Sequence, residues 1–108
     1  MEKQDVIAGL AALAQETRLD VFRRLVQAGS TGLPAGELAT ELSISPATLS
    51  FHLQALRNAR LLTRERAGRS IRYSPDFSVI GELVGYLGEN CCADESCAAS
   101  PEPAGGKN

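Results

Sequence analysis

Apolar residues recur along the first 90 positions at helical spacing, broken once by two short strand-like runs. Val6, Ile7, Leu10, Leu13 and Ala14 predict a first amphipathic helix. Thr17 is a candidate cap for a second helix, with an inner face of Leu19, Phe22, Leu25 and Val26 and a stop at Gly29. Residues 30–34, STGLP, read as a turn into a short extended piece, and a third helix is expected over 35–42 with Leu38, Ala39 and Leu42 inward. Ser45 followed by Pro46 then makes a strong helix start, an oxygen at the cap and a proline at the first position. Leu49, Leu53 and Leu56 are the inner stripe of this fourth helix. The three residues Ser43-Ile44-Ser45 join it to the third helix, and the pair forms a helix-turn-helix unit.

The period then shortens. LLTRER and RSIRYS are strand-like runs joined by Ala67-Gly68, where the glycine supplies the positive φ of a tight hairpin, so this segment is a wing. Pro75-Asp76 breaks the second strand, and Ile80, Leu83, Val84 and Leu87 mark a fifth helix. Gly81, Gly85 and Gly88 lie beside that stripe, each costing about 1 kcal/mol of helix propensity relative to Ala. Close approach of a partner helix explains them, as does a loosely ordered helix end. Residues 98–108 have no apolar periodicity and are expected to be disordered. The expected fold is mainly α with a small β-hairpin, a winged helix-turn-helix. It divides into a winged-helix domain over 1–90, a cysteine segment over 91–97 and a disordered tail over 98–108.

A chain of 108 residues has room for one such domain, and its 44% hydrophobic content is enough to bury a core. No apolar run approaches the ~18 residues of a membrane span. The start, MEKQDVIAGL, has neither the basic region nor the apolar stretch of a signal peptide, so a cytoplasmic protein without a membrane role is expected. The net charge of −2 hides an uneven distribution. Residues 46–72 hold six arginines (57, 60, 64, 66, 69 and 72) against Glu65 alone, while every other stretch is acidic. A basic block on an acidic chain is an electrostatic footprint for a polyanion, the plainer alternative being a solvated charged face.

On the fourth helix, a wheel at 100° per residue sets Ala47, Phe51, Gln54 and Asn58 opposite the leucine stripe, with Thr48, Ser50 and Arg57 on the flanks. An outward phenylalanine on a polar face suits entry into a major groove. There apolar contact meets thymine methyls, and Ser, Thr or Gln hydrogen-bond to base edges. A protein interface is the plainer use of the same face. His52 sits at the edge of the buried stripe, where it holds a backbone group or a DNA phosphate more readily than a metal, since no other ligand type lies near it. Arg64, Arg66, Arg69 and Arg72 on the wing suit phosphate or minor-groove contact.

The segments LAQETRL (13–19), ELATELSISPATLSFHLQALRNARLL (37–62) and RERAGRSIRYS (64–74) resemble the ArsR/SmtB family of winged-helix metal-responsive repressors. The resemblance spans roughly residues 5–90 and is most specific from Ser45 to Tyr73. It implies that the helix from Pro46 is a recognition helix and that the first and last helices build a homodimer. The expected DNA-binding residues are then Ala47, Thr48, Ser50, Phe51, His52, Gln54, Arg57, Arg64, Arg66, Arg69 and Arg72. The expected dimer contacts are Ile7, Leu10, Leu83, Val84 and Leu87. Two-fold symmetry in turn implies a double-stranded operator with an inverted repeat. Arg60 departs from the family, which usually has a glycine where the recognition helix ends.

Family members use different effector sites. The Cys-x-Cys of some on the third helix has no counterpart in LPAGELATEL, and the His-rich zinc site of others fails because His52 is the only histidine. NCCADESC remains, and Cys91, Cys92 and Cys97 resemble the C-terminal three-cysteine site of arsenic-responsive members. Three thiolates without a nitrogen ligand suit soft thiophilic ions, whereas structural zinc would want a fourth ligand. The expected inducer is trivalent arsenic or antimony, with no organic cofactor. Cadmium, lead or mercury, or a thiol-redox response, are the alternatives. A small thiol-handling enzyme is disfavoured, because no loop of backbone donors with an arginine follows any cysteine. A module that binds only protein is disfavoured by the unopposed arginines.

Overall fold

A computed structural model describes residues 1–92. Helix α1 spans Lys3–Leu13 and α2 spans Glu16–Ala28. A 3₁₀ turn at Gly29–Thr31 leads to the two-residue strand β1, Leu33–Pro34. Helix α3 (Ala35–Leu42) and helix α4 (Pro46–Asn58) follow, then strands β2 (Leu62–Ala67) and β3 (Ser70–Pro75) and helix α5 (Phe77–Gly88). The expected winged helix-turn-helix architecture is present.

The cap of α2 is not Thr17. Gln15 takes that place: it is extended, and its side chain accepts the Arg18 N–H at 2.7 Å. Thr17 lies inside the first turn of the helix. The buried face of α2 is also rotated from the expected one. Val21, Phe22 and Leu25 are buried, whereas Leu19 and Val26 are more than 40% exposed. Both stripes satisfy a 3.6-residue period, and only packing against α4 and the sheet chooses between them.

The core joins Val21, Leu25, Leu33, Leu38, Leu49, Leu53, Leu56 and Leu61, with Leu42 and Ile44 packed on its edge. Each fully buried leucine contributes about 1.5–3 kcal/mol relative to exposure. Ser43 ends α3 in the left-handed region, φ 56°, and Ile44 N–H reaches back to the Ala39 carbonyl. Ser45 then caps α4, its Oγ accepting from Thr48 N at 3.2 Å with Pro46 at the first helical position.

The hairpin gains a third strand. β1 pairs antiparallel with β3, Leu33 opposite Tyr73, giving the sheet order β1-β3-β2. Gly32 makes this possible: with φ 71°, a Cβ there would lie 2.4 Å from the Tyr73 carbonyl oxygen. The two-residue turn of the wing is Gly68-Arg69 rather than Ala67-Gly68, because Ala67 still pairs with Ser70. Gly68 takes the first turn position at φ 65°, as a tight hairpin demands. Asp76 links wing to α5: its N–H donates to the Leu61 carbonyl, and its carboxylate caps Val79 N.

Candidate nucleic-acid interface and cysteine segment

Helix α4 turns its leucines inward, and that leaves Ala47, Thr48, Ser50, Phe51 and Gln54 exposed along one face. Phe51 is 64% exposed, an unusual setting for an aromatic side chain. The Thr48 hydroxyl is partly committed to the helix start, accepting from Ser45 Oγ at 2.9 Å. Arg57 is half-buried in the last turn, where its charge complements the helix C-terminus.

His52 does not stand on this face. It is 8% exposed, and its Nδ1 accepts a hydrogen bond from Arg18 Nε at 3.2 Å. Acceptance at Nδ1 requires the tautomer protonated on Nε2. Burial, and secondarily the Arg18 charge, holds its pKa below the ordinary 6.5. The same Arg18 places its guanidinium 5.6 Å from the Phe51 ring centroid, and the Phe51 and His52 rings meet edge to face at 5.6 Å. Arg18 belongs to α2 and gives no local sequence signal, because its role depends on how α2 crosses α4.

On the wing, Arg64, Arg66 and Arg69 are exposed, and Arg64 and Arg66 share one face of β2. Arg72 differs from them. Its Nε donates to the Thr31 carbonyl at 2.9 Å and its Nη2 to the Gly32 carbonyl at 3.1 Å. It therefore clamps the 3₁₀ turn to the sheet and is not a wing-tip cation. Arg60 takes φ 67°, the left-handed turn that the family fills with glycine.

Of the expected dimer contacts, Ile7, Leu10, Val84 and Leu87 are 42–64% exposed. Leu83 is 7% exposed and is buried where α1 meets α5, so its side chain offers a partner little surface. Gly81 and Gly85 face open space within the chain.

Helix α5 ends at Gly88, whose carbonyl accepts the Cys91 N–H at 3.1 Å. Cys91 and Cys92 follow on the exposed surface with their sulfurs 3.4 Å apart, and Cys92 is disulfide-bonded. Cys97 and the tail 98–108 lie outside the described residues. Among the described residues no three His, Cys, Asp or Glu side chains form a metal-holding group, and no helix is long and apolar enough to cross a membrane.

A helix-turn-helix domain profile matches residues 13–65. The arsenical resistance operon repressor of Bacillus subtilis is 32% identical over 81 residues, covering 75% of this chain and 72% of that protein. The chain belongs to the ArsR/SmtB family of winged-helix transcriptional regulators. The regulator NmtR of Mycobacterium tuberculosis is 39% identical over 79 residues, 73% of this chain, and the match spans 63% of that relative's length. An ArsR-like regulator from Rhodococcus sp. RHA1 superposes with a TM-score of 0.72 at 28% identity, covering 84% of this chain and 82% of that one. As an ArsR/SmtB member the chain is a DNA-binding winged helix-turn-helix regulator, not an enzyme.

Proposed function

We propose that the protein is a homodimeric repressor of an arsenic-resistance operon, released from its operator when trivalent arsenic or antimony binds Cys91, Cys92 and Cys97. The α4 face with Ser50, Phe51 and Gln54 enters the major groove of each half-site, and Arg64, Arg66 and Arg69 grip the flanking phosphates. The exposed Ile7, Leu10, Val84 and Leu87 form the seam between two copies. With Gly81 and Gly85 open beside that stripe, a second α5 can approach closely.

The observation that carries the inducer is the placement of Cys91 and Cys92 side by side on the exposed surface immediately after α5. In the reduced protein both are soft donors for one thiophilic ion, beside the seam whose geometry sets the spacing of the recognition helices. The name of the Bacillus subtilis relative supports arsenic as the signal. Ligation ties Cys97 to the end of α5, and a coupling free energy of about 1–3 kcal/mol suffices to lower operator affinity 5- to 150-fold.

The test is a gel shift on the protein's own promoter with arsenite, antimonite, cadmium or hydrogen peroxide. Release by arsenite and antimonite at the lowest concentrations supports the reading. Release by peroxide alone establishes the redox alternative, and release by cadmium alone moves the signal to a divalent soft ion.

A further inference from the structure

We propose that Arg18, on α2 and outside the helix-turn-helix, is a positioning residue for base recognition. It holds the exposed Phe51 ring in the attitude that meets thymine methyl groups, and so sets part of the operator specificity. The inference rests on the DNA-binding reading above. A phenylalanine that is 64% exposed has few neighbours to fix its rotamer. Here three groups close a triangle. Arg18 Nε bonds His52 Nδ1 at 3.2 Å, the His52 ring meets the Phe51 ring edge to face at 5.6 Å, and the Arg18 guanidinium lies 5.6 Å from the Phe51 centroid. That last distance is within the ~6 Å range of a cation–π contact, and edge-to-face is a favoured aromatic geometry.

The order of support runs inward to outward. His52 is anchored by burial in α4; it fixes the plane of the guanidinium through one Nε–H bond; the guanidinium then covers one side of the Phe51 ring. A flat apolar surface held this way at the centre of the recognition helix matches the thymine C5-methyl, the one methyl group on the major-groove edge. A phosphate ligand would have no need of the Nε bond to a buried imidazole. Simple phosphate binding by Arg18 is therefore the competing outcome of the test.

The experiment measures affinity by fluorescence anisotropy for a duplex from the protein's own promoter and for the same duplex with uracil in place of every thymine. The full-length wild type should prefer the thymine duplex by about 4-fold for each methyl it contacts. Phe51→Ala should abolish that preference. Arg18→Ala should bring it below about 2-fold while leaving a folded protein by circular dichroism. Arg18→Lys keeps the charge but lacks the planar fork, so it should retain affinity for the uracil duplex and lose the preference. If both Arg18 variants weaken both duplexes equally and keep the wild-type preference, Arg18 is a phosphate ligand or a packing residue, and the proposal is overturned. A preference that survives Phe51→Ala, or a wild type without preference, overturns it equally. A wild type that binds neither duplex removes the DNA-binding reading itself, and the inference with it.

Discussion

Arg18 Nε donates to His52 Nδ1 across 3.2 Å, joining α2 to the buried side of α4 through the only imidazole in the chain. The bond requires a neutral histidine. Burial first, and the Arg18 charge second, lower its folded pKa below 6.5. The unfolded chain binds this proton more readily, so the stabilisation from neutral His52 is full above about pH 6.5 and is lost as pH falls through the depressed folded value. Thermal melts between pH 7.5 and 5 should show a falling Tm that His52→Gln removes. Equal slopes in both proteins would assign the loss to other groups.

A second prediction separates the wing arginines. Arg64→Ala, Arg66→Ala and Arg69→Ala should each lower the salt slope of DNA binding by about one unit and leave stability unchanged. Arg72→Ala breaks two bonds to Thr31 and Gly32 carbonyls, and should cost about 1–2 kcal/mol in urea unfolding instead. A salt-slope change for Arg72→Ala as large as the others would return it to the phosphate set.

The difference between Arg72 and its neighbours marks where sequence reasoning stops. Helix starts such as Ser45-Pro46 and the stripe Leu49, Leu53 and Leu56 are local patterns, and they were legible. The partners of Arg72 lie about 40 positions earlier in the chain, and the hydrogen-bond donor to His52 lies 34 earlier. No spacing rule reaches that far. The same holds for α2, where two stripes fit one period and tertiary packing alone selects Val21 over Leu19. Leu83 and Val84 are adjacent on α5 and both apolar, yet one is buried within the chain and the other is 64% exposed.

Arg60 offers a stability test. Its φ of 67° costs a residue with a Cβ about 1–2 kcal/mol, part of which glycine returns as extra unfolded-state entropy. Arg60→Gly should therefore raise stability by about 0.5–1 kcal/mol. An unchanged or lower urea midpoint would mean that the Arg60 side chain makes compensating contacts.

The exposed seam predicts oligomeric state. Val84→Glu and Leu87→Glu place a charge where two copies are proposed to meet, and should weaken the dimer by roughly 100-fold while leaving the subunit folded. Sedimentation velocity should then show monomers with little operator affinity. Leu83→Glu is not an equivalent probe, because it buries a carboxylate inside the subunit and should unfold it. Tight operator binding by a Val84→Glu monomer would remove the dimer from the reading.

The cysteines give the last prediction. Cys91 and Cys92 lie three and four residues beyond the end of α5, exposed, and remote in function from the α4 face. Neither sulfur supports the core, so Cys91→Ser or Cys92→Ser should leave folding and operator affinity at the wild-type level. Each removes one of two adjacent soft donors of the reduced protein, and a hydroxyl is a hard, weakly acidic replacement for a thiolate. Arsenite release in a gel shift should then need at least about tenfold more ligand for either variant, and for Cys97→Ser if the third sulfur completes the pyramid. A Cys97→Ser protein with normal release would leave a two-sulfur site at Cys91 and Cys92. Full response by all three variants would put the effector site elsewhere on the chain and leave only the repressor half of the proposal standing.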